Sequence, residues 1–298
     1  MMTSSNSDMI KEMEWCRDIV DGRLHELFAE AGSSYATLVE AMRYSLLAGG
    51  KRVRAIICMK FCEAAGGRPE DAIDAACAIE MLHTYTLIHD DLPSMDGDDM
   101  RRGKPSNHVE YGEFTATLAG DALQAAAFET LAGSALPAAS IIEMVKILAH
   151  AAGPHGICGG QYLDLSGEGW HLTIDELLEL YAMKTAALIS AAARLGVIAG
   201  DGTYEQIVAA DLYASAIGLA FQVRDDVLDC VATAEDLGKP IGSDIDNDKS
   251  TFASLLGVEA CEKMIHKETE KSISALEGKF ENTEFLTWLA LVLAERKN

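Results

Sequence analysis

The stretch Leu82-His83-Thr84-Tyr85-Thr86-Leu87-Ile88-His89-Asp90-Asp91-Leu92-Pro93-Ser94-Met95-Asp96-Gly97-Asp98-Asp99-Met100-Arg101-Arg102-Gly103 ends an apolar helical run in five aspartates, followed by two arginines. Carboxylates packed this closely penalise one another's ionised form, so the cluster makes sense beside bound cations. Oxygen donors with no Cys or His core suit a hard ion, Mg2+ above all. Mg2+ takes one or two carboxylates, keeps some waters and leaves the rest of its shell to substrate phosphates. Arg101 and Arg102 suit such a phosphate, because the guanidinium fork meets it bidentately. Taken alone, the stretch fits a solvated acidic loop that closes a helix equally well.

A second cluster shifts that balance. The chain later reads Phe221-Gln222-Val223-Arg224-Asp225-Asp226-Val227-Leu228-Asp229. Gln222, Asp225, Asp226 and Asp229 recur at offsets of three, four and seven, which places them on one helical face. Phe221, Val223, Val227 and Leu228 surround them, so the helix is not simply a polar surface one. Two aspartate motifs, each at the end of or within an apolar helix, suggest two walls of one metal–diphosphate site.

Both motifs resemble those of the trans-isoprenyl diphosphate synthases. Asp90-Asp91, Asp96 and Arg101-Arg102-Gly103 are similar to the first aspartate-rich motif, and Phe221-Gln222 with Asp225-Asp226 and Asp229 to the second. Further pieces agree in order and spacing: Gly49-Gly50-Lys51-Arg52-Val53-Arg54, Gly120-Asp121-Ala122-Leu123, Gly159-Gly160-Gln161, Lys184-Thr185, Gly238-Lys239, and Gly242-Ser243-Asp244 with Lys249-Ser250-Thr251. The resemblance is nearest to the bacterial short-chain, farnesyl type. It implies an all-α single domain over 1–298, a bundle of ten or more helices around a central cavity, the isoprenoid synthase fold.

The same resemblance implies roles. Lys51, Arg54, His83 and Arg102 bind isopentenyl diphosphate. Arg101, Lys184, Lys239 and Lys249 bind the allylic diphosphate. Asp90, Asp91, Asp96, Asp225, Asp226 and Asp229 hold Mg2+, three ions in the family. Lys184, Thr185 and Gln222 are the catalytic set that steadies an allylic cation. Tyr85 lies five residues before Asp90, ~7.5 Å down the helix axis. Bulk at that place forms the floor of the family's product tunnel, so Tyr85 implies an early stop at (2E,6E)-farnesyl diphosphate. A small residue there would favour the alternative, the longer geranylgeranyl product. A further rival is a non-catalytic prenyltransferase subunit, which would be expected to lack aspartates or lysines that this chain keeps. Arg296, close to the end, reaches a substrate if it follows the family manner. One departure stands out: Phe252-Ala253 replaces the Tyr-Pro that often follows Lys-Ser-Thr, which bears on how rigidly the preceding segment is held. The family is usually homodimeric.

Composition agrees. The chain has 298 residues, six prolines and no Pro/Gly/Ser-rich linker, so it reads as one mostly helical domain. Its net charge of −23 argues against nucleic acid as a partner, although local Lys and Arg plus metal can still hold a small diphosphate. Seven cysteines without ligand or disulfide spacing fit a reduced, cytoplasmic protein. Met1 to Glu14 has no apolar core of a secretion signal, and Arg194 interrupts the best membrane-span candidate, Ala186 to Ala199.

Periodicity predicts helices near 8–30 (stopped by Gly32), 35–47, 69–92, 111–133, 137–152, 156–166, 204–232 and over the last forty residues. Thr173 with Glu176 is a capping box that should start a helix running to Ala199. Lys184 lies in its apolar interior and needs an anion there. Lys51 and Arg54, three apart, are expected on one helical face behind the Gly49-Gly50 turn. The polar 235–250 segment reads as a lid.

Overall fold

The computed structural model describes residues 3–29, 34–167, 169, 171–231 and 250–296. The described chain is helical apart from a two-residue antiparallel ladder, β1 (Met100–Arg101) on β2 (Lys104–Pro105). It divides into two compact units, Met1–Leu148 with Leu195–Gly202, and Ala149–Arg194 with Thr203–Asn298.

The first unit is built on α1 (Thr3–Leu27), α2 (Ala36–Leu46), α3 (Val53–Ala64), α4 (Ile73–Asp90), α5 (Asn107–Tyr111) and α6 (Glu113–Ala132). On α1, Cys16, Val20 and Leu24 recur every four residues and are fully buried. α3 and α4 have no polar face. Nearly every residue from Ala55 to Cys62 and from Ala75 to Leu82 is buried, so both run through the core. α4 packs along α6, whose buried residues Ala116, Ala119, Gly120 and Ala127 are small enough for close approach. The expected helix from Pro69 is split. Pro69 opens a 3-10 turn, Pro69–Ala72, before which the Arg68 N–H donates to the Asp71 carboxylate (3.1 Å), and α4 follows. The helix expected near 111–133 is α6, which starts at Glu113 because Gly112, with a φ of 84°, separates it from α5. Gly32, the expected stop of the first helix, lies outside the described residues.

A buried ion pair fixes the start of α3. Arg52 holds a left-handed backbone (φ 50°), costly for a residue with a side chain. Its guanidinium offsets that cost. It donates to Asp21 of α1 (2.9 Å), to the Leu46 carbonyl at the end of α2 (2.6 Å) and to Glu80 of α4 (3.1 Å). Glu80 also accepts from the Ala55 N–H (3.3 Å). One side chain thereby ties three helices to the N-terminus of a fourth.

After α7 (Ala138–Ala152), the second unit contains α8 (Ile157–Ser166), α9 (Ile174–Tyr181), a π-helical turn Ala182–Ala186, α10 (Ala187–Ala199) and α11 (Tyr204–Val231), then α12 (Phe252–Leu256), α13 (Val258–Leu276) and α14 (Glu284–Glu295). The capping box is as expected: the Thr173 hydroxyl accepts from the Glu176 N–H, and the Glu176 carboxylate accepts from the Thr173 N–H. α11 is the axis of this unit, packed mainly on α13 and also on α12, α14 and the π turn. Leu177, Leu180, Tyr181, Val223, Val227, Phe252 and Ile265 form its core.

By length and composition, the runs Ile174–Ala199 and Tyr204–Cys230 are long and apolar enough to cross a membrane. Most of the first is buried inside the protein, and both carry charged residues, Lys184 on one and Asp225 and Asp226 on the other.

Glu80→Ala leaves the Arg52 charge buried against a lost partner. It should lower unfolding free energy by about 3 kcal/mol or more, read from urea denaturation; a loss within error would show that the pair does not hold α3 in place.

Candidate active site

In the first unit, the left-handed Arg52 changes the expected geometry of the basic motif. α3 begins only at Val53, so Lys51 lies before the helix, exposed, and does not share a helical face with Arg54. Gly50 (φ +132°) lets the turn close. A Cβ there would meet the Arg102 guanidinium at 2.9 Å. Arg102, itself left-handed at φ 53°, reaches back and donates to the Gly49 carbonyl.

Three candidate isopentenyl residues thus converge. Arg54 Nη1 lies 3.4 Å from His83 Nε2. Burial holds the His83 imidazole well below its ordinary range, and Arg54, Arg102, Arg52 and Arg101 push it the same way, so the ring is neutral and accepts from Arg54. Burial lowers Arg54 as well; Glu80 opposes the shift and Arg102 adds to it. Arg102 is lowered by burial, then by Arg52. Each arginine is depressed by a neighbouring cation, Arg54 by Arg102 and Arg102 by Arg52 and Arg101. Glu80, the carboxylate that opposes both shifts, is already bonded to Arg52. The buried Arg54 Nε has no hydrogen-bond partner. This cluster is suited to an anion that the described residues do not themselves provide.

The first aspartate motif sits at the C-terminus of α4, where a tight turn closes it. The N–H groups of Asp96 and Gly97 donate to the carbonyls of Asp90 (2.9 Å) and Leu92 (3.1 Å). Its aspartates are not equivalent. Asp91 is buried, at 2% exposure, and accepts from Arg101 Nε (2.9 Å). Burial opposes the Arg101 charge, but the bond and charge of Asp91, with Asp98 and Asp90, raise its pKa above the ordinary value. Asp90 is half-buried and Asp96 exposed.

The second motif, on α11, repeats the pattern. Asp226 is buried, at 2% exposure, and accepts from the Tyr181 hydroxyl (3.1 Å) and the Phe252 N–H (2.7 Å). Asp225 and Asp229 are half-buried. Phe252, which departs from the family's usual Tyr, is fully buried with its ring edge-on to Tyr181. It therefore anchors the start of α12 to the motif. Asp91 and Asp226, grouped in the sequence reading with the metal ligands, thus have their carboxylates on protein donors.

The π turn carries the next two site residues. Its extra residue re-aims the side chains, as π turns do at functional sites. Thr185 Oγ1 donates to Gln222 Oε1 (3.0 Å), and Lys184 Nζ pairs with Asp164 (2.5 Å). The anion that Lys184 needs is therefore present in the chain as Asp164. Gly160 permits this approach, since a Cβ there would meet the Lys184 backbone N at 2.4 Å. These side chains line a cavity of about 170 Å3 with Tyr181 and Ser250. Arg296 donates to Asp225 and lies over the Phe221 ring, 3.7 Å from its centroid. Lys239 and Lys249 lie outside the described residues, as does the expected lid except Ser250. The sequence reading missed Asp164, Tyr181 and Arg52, whose partners are 20, 45 and 28 residues away.

Tyr85, on α4, is 5% exposed and meets His89 edge-on, ring centroids 5.6 Å apart. His89 Nε2 in turn lies 3.0 Å from the Thr117 carbonyl of α6.

The donor set fits Mg2+. Among the described residues no three or more His, Cys, Asp or Glu group closely enough to hold a metal alone. Mg2+ on one or two carboxylates, with water and diphosphate oxygens, needs no such cage.

Comparison with known proteins matches this geometry. The polyprenyl synthetase family matches residues 35–286. The "Heterodimeric geranylgeranyl pyrophosphate synthase large subunit 1, chloroplastic" of Arabidopsis thaliana is 44% identical over 268 residues, 87% of this chain and 72% of that protein. The geranylgeranyl diphosphate synthase of Cyanophora paradoxa is 43% identical over 258 residues, 86% of this chain and 85% of its own. A solved FPP/GFPP synthase from Zymomonas mobilis superposes with a TM-score of 0.86 at 33% identity, over 97% of this chain and 99% of that one. The fold is that of the isoprenoid synthases. The chain belongs to the polyprenyl synthetase family and is a prenyl diphosphate synthase.

His83 gives a pH dependence. Its folded pKa is depressed, so its contribution is complete above the ordinary histidine value of about 6.5 and is lost as pH falls below it. Between about pH 7.5 and 5, the urea midpoint of the wild type should fall further than that of His83→Gln; parallel declines would mean that the ring is not held neutral.

Proposed function

We propose that the chain performs Mg2+-dependent head-to-tail condensation of isopentenyl diphosphate with an allylic diphosphate, giving geranylgeranyl diphosphate. The observation that carries the reading is the under-compensated cluster of Arg54, Arg102 and neutral His83. A protein of net charge −23 holds this knot of cations short of an anion, beside an aspartate motif that needs cations. The relatives' names favour the twenty-carbon product. One observation favours a second reading, the fifteen-carbon farnesyl product: Tyr85 is large, buried and braced by His89 one turn below Asp90.

In this reading Arg54, Arg102, His83 and Lys51 bind and orient isopentenyl diphosphate. Asp90 and Asp96 of the first motif hold metal ions, as do Asp225 and Asp229 of the second, three ions in number. Asp91 and Asp226 act through their neighbours: Asp91 orients Arg101 toward the allylic diphosphate, and Asp226 fixes Tyr181 and Phe252. When bound, Mg2+ supplies charge that stabilises the departing diphosphate. Lys184 exchanges Asp164 for that diphosphate, with Lys239 and Lys249 contributing from the lid. The Thr185 hydroxyl and Gln222 amide, already bonded to each other, present their dipoles to the allylic cation, and the Lys184 carbonyl does the same. The isopentenyl double bond attacks this cation, and a proton leaves to the released diphosphate, since no side chain here is an evident general base. The reaction requires that water be kept from the cation.

The protein works as a cytoplasmic homodimer in this account. Phe114 and Leu118, four apart on α6, and Val109 on α5 are at least half exposed, an apolar surface that a second copy covers.

Product chromatography with isopentenyl and dimethylallyl diphosphates decides the chain length. A twenty-carbon product is expected; a fifteen-carbon product would establish the second reading. Tyr85→Ala should lengthen the product if Tyr85 is the tunnel floor, and an unchanged distribution places the floor elsewhere. Arg54→Ala should raise KM for isopentenyl diphosphate by about 10-fold or more, with little change in KM for the allylic substrate.

A further inference from the structure

The chain closes on its own second aspartate motif. α14 ends at Glu295, and Arg296 leaves the helix with an extended backbone (φ −58°, ψ 147°). Its guanidinium donates to Asp225 Oδ1 and to the Phe221 carbonyl (3.3 Å), and stacks over the Phe221 ring 3.7 Å from the centroid. Phe221 and Asp225 are one turn apart on α11, so the ring and the carboxylate form the floor and wall of one seat. The neighbouring Arg224 locks the approach: its Nε donates to the Ala294 carbonyl (2.7 Å), and its other nitrogens pair with Glu262 of α13 (2.6 and 2.8 Å). Consecutive residues of α11 thus hold the end of α14, Arg224 by its backbone and Asp225 by its last described side chain.

The seat is imperfect. Arg296 Nε is buried without a partner, an unsatisfied donor that costs free energy. Burial, and then the charge of Arg224, push the Arg296 pKa down to about 10. The group remains charged at neutral pH, but it is held less well than a guanidinium with all donors met. A cation entering the ~2.1 Å coordination shell of Asp225 meets the Arg296 charge on the same carboxylate, and the two cations repel each other at that range.

We infer that Arg296 is an internal counter-cation for Asp225, which a divalent cation must displace, so that metal loading at the second motif frees the Arg296 side chain. This rests on the reading that Asp225 takes a metal ion. Asp225 is thereby kept charged and oriented before metal arrives, and apparent metal affinity is lowered by the contact that must break.

The test is calorimetric titration with Mn2+, alone and with inorganic diphosphate, of the wild type, Arg296→Ala, Arg296→Lys and Asp225→Asn, with circular dichroism to check folding. Arg296→Ala should bind Mn2+ about 5-fold tighter or more, and Arg296→Lys, which keeps the charge, should stay near the wild type. Asp225→Asn should lose the affinity that Arg296→Ala gains. If Arg296→Ala binds no tighter while Asp225→Asn binds more weakly, Asp225 is a ligand and the competition is overturned. If Asp225→Asn binds Mn2+ like the wild type, the metal reading of Asp225 itself falls.

Discussion

The buried contact between Arg52 and Glu80 sets what the first unit can present. Arg52 adopts a backbone that side chains avoid, and it does so because three acceptors on α1, α2 and α4 wait for its guanidinium. That turn starts α3 at Val53 and puts Arg54 in its first helical turn, against His83 of α4. It also engages Glu80, the carboxylate that only partly offsets Arg54 and Arg102. Structure and function are linked through this one residue. The same bond that holds the helices together leaves the adjacent arginines short of negative charge, a shortage that an anionic substrate would answer.

A division of labour runs through both aspartate motifs. In each, the second aspartate of the pair is buried and held by protein donors, Asp91 by Arg101 and Asp226 by Tyr181 and Phe252. The flanking aspartates are more accessible. Buried carboxylates with satisfied bonds stiffen the backbone from which their neighbours project, and this keeps a cluster of like charges in place before any cation binds. Lys184 and Asp225 follow a related logic. Each is paired within the chain, to Asp164 and Arg296, where the reaction would offer a diphosphate and a metal ion instead.

Much of this was readable in the sequence because it is local. The Thr173–Glu176 capping box, the apolar period of α1 and the spacing that puts Asp225, Asp226 and Asp229 on one face need only neighbouring residues. What was not readable depends on distant partners. A left-handed arginine has no sequence signal, because its cause is an acceptor set spread from Asp21 to Glu80. The π turn at Ala182–Ala186 interrupts a helical pattern without a proline or glycine to mark it. The different settings of Asp90 and Asp91 follow from where Arg101, on β1, returns to the end of α4, which adjacency in sequence conceals. Tyr85 is a lesson of another kind. Its bulk was legible, and the structure places it buried against His89, while relatives at 43–44% identity are named for the longer product.

The central claim is that this chain joins prenyl diphosphates and depends on metal to do so. It is tested most directly by incubating the purified full chain with isopentenyl and dimethylallyl diphosphates, with Mg2+ and with excess chelator, and following isopentenyl incorporation. The account predicts steady formation of an elongated prenyl diphosphate with Mg2+ and its abolition by chelator. Equal turnover in both conditions would contradict the role given to the aspartate motifs, and no turnover in either would contradict the assignment of catalysis to this chain alone.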